Sequence, residues 1–243
     1  MSTKQAIESP GVPLAGEEYL QQGNAARSSL YVRAFRLVAK VLFLIFFRVR
    51  VIGKRNIPRT PVIICANHLG WTDAFMVLLF FPVEPRIYAM GEQEVKFISS
   101  FRRWVIESLQ VFVMLDRKKP LQAIHVMEDI LKRGGSILIF PEGRLGYREG
   151  DLQELQHGAA HISITSGVPL LPVGLTGNSE LWLRRKLVVR IGEPVRPEEF
   201  EGDLRSRTHA ITGRLDREMR ALLPGDKQHA RVKLLRRWLT KLL

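Results

Sequence analysis

The chain carries a single cysteine, Cys65, in 243 residues. One thiol excludes an intrachain disulfide and a cysteine-based zinc site, and it says little about redox compartment. Acidic residues are few: 24 Asp plus Glu stand against 37 Lys plus Arg, a formal charge of +13. That imbalance points to a polyanionic partner, whether nucleic acid, an anionic membrane surface or a phosphorylated substrate. No uncharged apolar run approaches the ~20 residues that a membrane-spanning helix requires, and no internal repeat is visible. Residues 1–27 have no hydrophobic periodicity and read as a mobile tail. They lack the basic start of a signal peptide, and no small-residue cleavage site follows the next apolar run. At 46% hydrophobic residues, the chain can bury a sizeable core as one large domain or one domain with appendages.

Between Ser29 and Phe47, Arg33, Arg36 and Lys40 recur at helical spacing and share one face. Leu30, Val32, Phe35, Leu37, Val38, Val41, Leu42 and Phe43 occupy most of the rest. Two readings stand: a basic amphipathic helix in the membrane interface, and a core helix with snorkelling basic residues. The one-signed charge and the aromatic cluster at one end favour the first. Residues 231–243 show Leu or Trp at 234, 235, 238, 239, 242 and 243, with a basic back. They read as a helix on a membrane surface or docked on the domain.

From Val49 onward, strand-like and helix-like runs alternate. Strands are expected at 49–53, 61–66, 86–90, 111–115, 136–140, 170–175 and 187–191, and helices over 72–81, 92–108, 120–133, 156–166 and 208–223. This alternation predicts an α/β fold with a mostly parallel sheet covered by flanking helices, plus terminal amphipathic helices.

Three strand ends carry candidate chemistry. Asn67-His68 leaves the 61–66 run, and Asp73 opens the helix that follows. A histidine needs a partner to fix its tautomer before it acts as a base, and a nearby carboxylate can supply it. The plainer alternative is that Asp73 caps its helix and His68 fills a turn. Phe140-Pro141-Glu142-Gly143-Arg144 leaves the 136–140 run, offering a carboxylate and a guanidinium suited to phosphate. Asp116-Arg117-Lys118-Lys119 precedes a helix N-terminus, where cations and the helix dipole together favour an anion. Basic turns of this kind are more often simply solvated, but successive strand ends can converge on one cleft.

In this order the stretches resemble the glycerolipid acyltransferases, the PlsC-like lysophospholipid acyltransferases. Asn67-His68 with Asp73 matches their N-H-x4-D motif, and Phe140–Gly143 matches F-P-E-G. Val111–Arg117 is similar to the block between them, Val168–Val173 to the downstream proline block, and Gly192-Glu193-Pro194 to G-x-P. The resemblance covers about residues 49 to 200. Two departures stand out. The family reads F-P-E-G-T-R-S, whereas Arg144 follows Gly143 directly and Leu145 takes the arginine's place. The middle block begins with Val111 rather than Gly.

The resemblance implies an O-acyltransferase acting on 1-acyl-sn-glycerol-3-phosphate, with acyl-CoA or acyl-carrier protein as co-substrate and no cofactor or metal. His68 would be the general base and Asp73 its orienting partner, with Arg117, Glu142, Gly143 and Arg144 at the glycerol-phosphate end. The alternatives are another lysolipid acceptor, such as a lyso-ornithine lipid or lysophospholipid, and a non-catalytic lipid-binding protein. His125, His157, His161 and His229 lie on expected helices without a ligand constellation. Nucleic acid is not an expected partner, since it leaves F-P-E-G and the apolar stripes unexplained. The expected layout is a tail over 1–27, an interfacial helix over 28–48, the acyltransferase domain over 49–225 and a basic amphipathic helix over 226–243. The expected location is a membrane surface on its cytoplasmic face, held peripherally or monotopically.

Overall fold

The structure is a computed structural model that describes residues 27–92, 100–116, 118–146, 148–223 and 234–236. Its elements in chain order are α1 (Leu30–Phe46), β1 (Arg48–Ile52), β2 (Ile63–Ala66), α2 (Thr72–Phe80), β3 (Ile87–Glu92), α3 (Ser100–Leu109), β4 (Phe112–Leu115), α4 (Pro120–Lys132), β5 (Ser136–Ile139), α5 (Gly158–Ser166), β6 (Leu170–Thr176), β7 (Lys186–Ile191) and α6 (Leu204–Ala221). The seven strands form one sheet in the order β1-β7-β6-β2-β5-β3-β4. All neighbours pair in parallel except β6 with β7. The expected α/β class with a mostly parallel, covered sheet is what the chain adopts.

Strand side chains alternate between faces, and β2 shows what each face meets. Ile64 and Ala66 join a core with Phe43 and Phe47 of the α1 end, Met76 and Val77 of α2, and Leu109 of α3. Ile63 and Cys65 join the opposite core with Ile130 of α4, Ile162 of α5 and Leu215 of α6. Burial on both faces explains why the run reads as continuously apolar rather than alternating.

The helix α1 turns its basic residues toward the domain. Arg33 pairs with Glu84, and Arg36 is buried and donates to the carbonyls of Phe81, 3.0 Å, and Pro82, 3.5 Å. Lys40 sits over the Phe80 ring at 5.2 Å. The basic stripe therefore caps the carbonyl end of α2, where a helix dipole favours cations. Burial lowers Arg36 to about 10, still protonated at neutral pH. The outward face is apolar: Leu37 is 64% exposed, Val41 50% and Ile45 57%, with Val38 and Leu42 between them.

Several boundaries differ from expectation for local reasons. α6 begins four residues before the expected Thr208, because the Asp203 side chain caps it by accepting from the Ser206 N–H at 2.8 Å. The expected helix over 92–108 is instead the end of β3 followed by α3, with 93–99 outside the described residues. α5 begins at Gly158, not Gln156, whose N–H is drawn to the Pro141 carbonyl at 2.7 Å. The expected tail over 1–27 and helix over 226–243 lie almost wholly outside the described residues.

Candidate active site

Strand order decides which loops meet. β2 lies between β5 and β6, with Cys65 opposite both Ile139 and Pro172. The turn after β2 carries His68, the turn after β5 carries Phe140–Gly146, and the turn after β6 carries Asn178. Ligand sites in open α/β sheets form beyond such carboxyl ends.

His68 and Asp73 form a pair. His68 Nδ1 lies 2.9 Å from Asp73 Oδ2, with side-chain exposures of 26% and 0%. Asp73 Oδ2 also accepts from the N–H groups of Leu69, 2.5 Å, and Gly70, 2.8 Å. Asp73 lies in the first turn of α2 as expected; the cap position is Trp71, without a side-chain cap bond. Asp73 instead reaches back and ties the turn before the helix. A carboxylate on Nδ1 leaves Nε2 as the proton-accepting nitrogen. The Phe140 ring stacks on the imidazole, with centroids 4.0 Å apart and planes 16° apart, and covers one of its faces.

The F-P-E-G turn holds the backbone of His68 from both sides. Glu142, 2% exposed, accepts from the His68 N–H through Oε1 and from the Gln153 N–H through Oε2, each at 2.9 Å. The Gly146 N–H donates to the His68 carbonyl at 2.6 Å. A Cβ on Gly146 would lie 3.1 Å from that carbonyl oxygen, tight enough to push the strands of the clamp apart. Gly143 closes the turn at φ 63°, a left-handed conformation that glycine adopts without strain. Asn67 extends the sheet ladder with its side chain: its amide donates to the Leu175 carbonyl at 3.0 Å and accepts from the Leu175 N–H at 2.7 Å.

The cations fall into two groups. Arg144 is exposed, one residue past Gly143, with no ion pair among the described residues. The Asp116–Lys119 turn follows β4, the far edge strand, three strand spacings or ~14 Å from β2. Arg117 itself lies outside the described residues, while Lys118 and Lys119 are exposed. Of the other histidines, His157 is not merely solvated: its Nδ1 lies 3.1 Å from Thr212 Oγ1, and its ring meets that of His209 at 4.5 Å. Among the described residues, no group of three or more His, Cys, Asp or Glu is placed to hold a metal. Burial pushes the Cys65 thiol up, away from nucleophilic reactivity.

Two site residues carried no signal in the sequence. Asn178 donates its amide to Asp73 Oδ1 across 105 positions. Glu149 accepts from Ser179 Oγ at 2.5 Å, from the Gly177 N–H and from Arg185 Nη2 at 3.3 Å, which anchors the Asn178 loop. Only the Gly177-Asn178-Ser179 turn after a strand hinted at this loop.

Comparison with known proteins agrees with this architecture. The 1-acyl-sn-glycerol-3-phosphate acyltransferase of Saccharomyces cerevisiae is 28% identical over 202 residues, covering 78% of this chain and 63% of that protein. The enzyme of that name from Bacillus subtilis is 29% identical over 193 residues, covering 75% of this chain and 92% of its own length. A probable 1-acyl-sn-glycerol-3-phosphate acyltransferase of Mycoplasma genitalium is matched over 56% of its length, so the chain spans less than two thirds of several relatives. The crystal structure of the 1-acyl-sn-glycerophosphate (LPA) acyltransferase PlsC from Thermotoga maritima superposes with a TM-score of 0.62 at 24% identity, covering 81% of each chain, and shares the fold. The Acyltransferase family model matches residues 48–176, a span that holds His68, Asp73 and the whole F-P-E-G turn and exceeds half the sequence, and the chain belongs to that family.

Proposed function

We propose that the protein transfers a fatty acyl group from a thioester donor, acyl-CoA or acyl-carrier protein, to the free hydroxyl of 1-acyl-sn-glycerol-3-phosphate. The observation that carries this reading is the 2.9 Å His68–Asp73 pair, made through Nδ1 on a side chain that is 26% exposed. In the proposed reaction, His68 Nε2 takes the hydroxyl proton as the oxygen attacks the thioester carbonyl. The tetrahedral intermediate collapses, the C–S bond breaks, and the imidazolium returns the proton to the leaving thiolate. Asp73 holds the tautomer and stabilises the imidazolium. No Ser or Cys side chain is bonded to His68 among the described residues, which favours direct transfer over an acyl-enzyme.

Arg144 is the phosphate reader in this proposal, with Arg117 as the second candidate. Glu142 serves the acceptor site by fixing the His68 turn rather than by touching substrate. The exposed apolar stripe of α1 is proposed to rest in the surface of an anionic membrane, on the cytoplasmic side. Among the described residues, no helix is long and apolar enough to cross a membrane.

The test is an acceptor panel run with both donor types and read as release of free thiol. Lysophosphatidic acid should be the best acceptor. A better rate with a lyso-ornithine lipid or another lysophospholipid overturns the acceptor, and no lysolipid-dependent release with any pair overturns the enzyme reading.

A further inference from the structure

We propose that Asn178 is a positioning residue for acyl transfer, acting through Asp73; the proposal rests on the His68–Asp73 pair being the catalytic one. Asp73 is fully buried. Its Oδ2 is engaged by His68 and two backbone amides, whereas the described partner of Oδ1 is the Asn178 side-chain N–H. The orientation of that amide is forced, since its flipped form would set a carbonyl oxygen against a carboxylate.

The arrangement has a cost. Asn178 is 5% exposed, and its Oδ1 is buried without a hydrogen-bond partner. Orphaned buried acceptors are rare in folded proteins and call for a specific cause. A residue selected for packing alone would be apolar here. The donor toward Asp73 is what an apolar residue cannot provide.

The loop bearing Asn178 is held rather than left to drift. Arg185, 4% exposed, donates through Nε to the Gly177 carbonyl at 3.0 Å and through Nη2 to Glu149. Glu149 in turn binds the Gly177 N–H and the Ser179 hydroxyl, the two neighbours of Asn178. Asn178 thereby fixes the carboxylate rotamer from the side opposite the imidazole. Its N–H also offsets part of the Asp73 charge. Removing it leaves the carboxylate with one donor fewer and free to turn away from the imidazole.

The experiment measures steady-state kinetics for the full chain with acyl-CoA and lysophosphatidic acid, alongside thermal melting. The expected result for Asn178→Ala is a kcat lowered about ten- to a hundredfold, as for loss of a hydrogen bond to a charged group. Both KM values should stay within about twofold, so that the loss falls on kcat. Asn178→Leu, nearly the same shape and without a donor, tests the site if the alanine variant folds poorly, and should lower kcat likewise. Wild-type kcat in folded variants overturns the proposal. So does a loss of rate that only follows the folded fraction. His68→Ala is the control: if it stays active, the catalytic pair itself is wrong; if it is dead while the Asn178 variants are normal, only this inference fails.

Discussion

Glu142 Oε1 accepts the backbone N–H of His68 at 2.9 Å, so the second family stretch grips the first at the residue that bears the chemistry. The Gly146 N–H takes the carbonyl of the same residue. His68 is thus held by its backbone between two bonds, by its ring against Phe140 and by its Nδ1 on Asp73.

Glu142→Ala should leave two part-buried N–H groups, those of His68 and Gln153, without that acceptor. Each such orphan costs ~1–3 kcal/mol. The variant is expected to lose several degrees of melting temperature and most of its turnover together. Glu142→Gln keeps one acceptor oxygen and should be intermediate in both. Unchanged turnover in Glu142→Ala, measured by thiol release, would refute the clamp.

His68→Ala should abolish acyl transfer while leaving the fold intact. Removing a general base typically costs ~10²–10⁴ in rate. Asp73→Asn is expected to cost a similar or smaller factor by presenting the wrong tautomer, and also to lower stability, because Leu69 and Gly70 donate to the same oxygen. Steady-state kinetics beside thermal melts separate the two effects.

Arg144→Ala should raise the KM for lysophosphatidic acid and leave the donor KM nearly unchanged. Loss of a charge-assisted hydrogen bond costs ~1.5–3 kcal/mol, about ten- to a hundredfold in kcat/KM. Arg144→Lys should recover only part, because an ammonium cannot reproduce a bidentate fork. A silent Arg144→Ala beside a crippling Arg117→Ala would move the phosphate contact to the turn after β4.

The two faces of α1 predict two opposite phenotypes. Val41→Asp combined with Ile45→Asp changes exposed side chains, so the melting temperature should hold while binding to anionic vesicles falls about tenfold or more. Arg36→Ala strips donors from the Phe81 and Pro82 carbonyls. It should destabilise the fold by ~1–3 kcal/mol and leave vesicle binding by the folded protein intact. Vesicle sedimentation and thermal melting measure each pair. If the arginine change alone abolishes sedimentation, the basic stripe and not the apolar one meets the lipid.

What the sequence determined by itself was local or periodic. The runs at β2 and β6 are buried throughout, and that burial is written into their continuous apolarity. The N-H-x4-D spacing keeps His68 and Asp73 within one turn, so their meeting needs no distant contact. Gly143 marks the F-P-E-G turn because its left-handed backbone favours glycine. Tertiary structure decided the rest. Which face of α1 turns outward depended on Phe81 and Pro82, whose carbonyls lie far along the chain and draw Arg36 inward. That Glu142 grips the His68 amide was not legible, because a carboxylate's partners cannot be read from its neighbours in sequence; only the alignment of β5 beside β2 brings that amide to it. Asn178 was invisible for the same reason: a lone asparagine after a strand acquires meaning only when strand order sets β6 on the other side of β2.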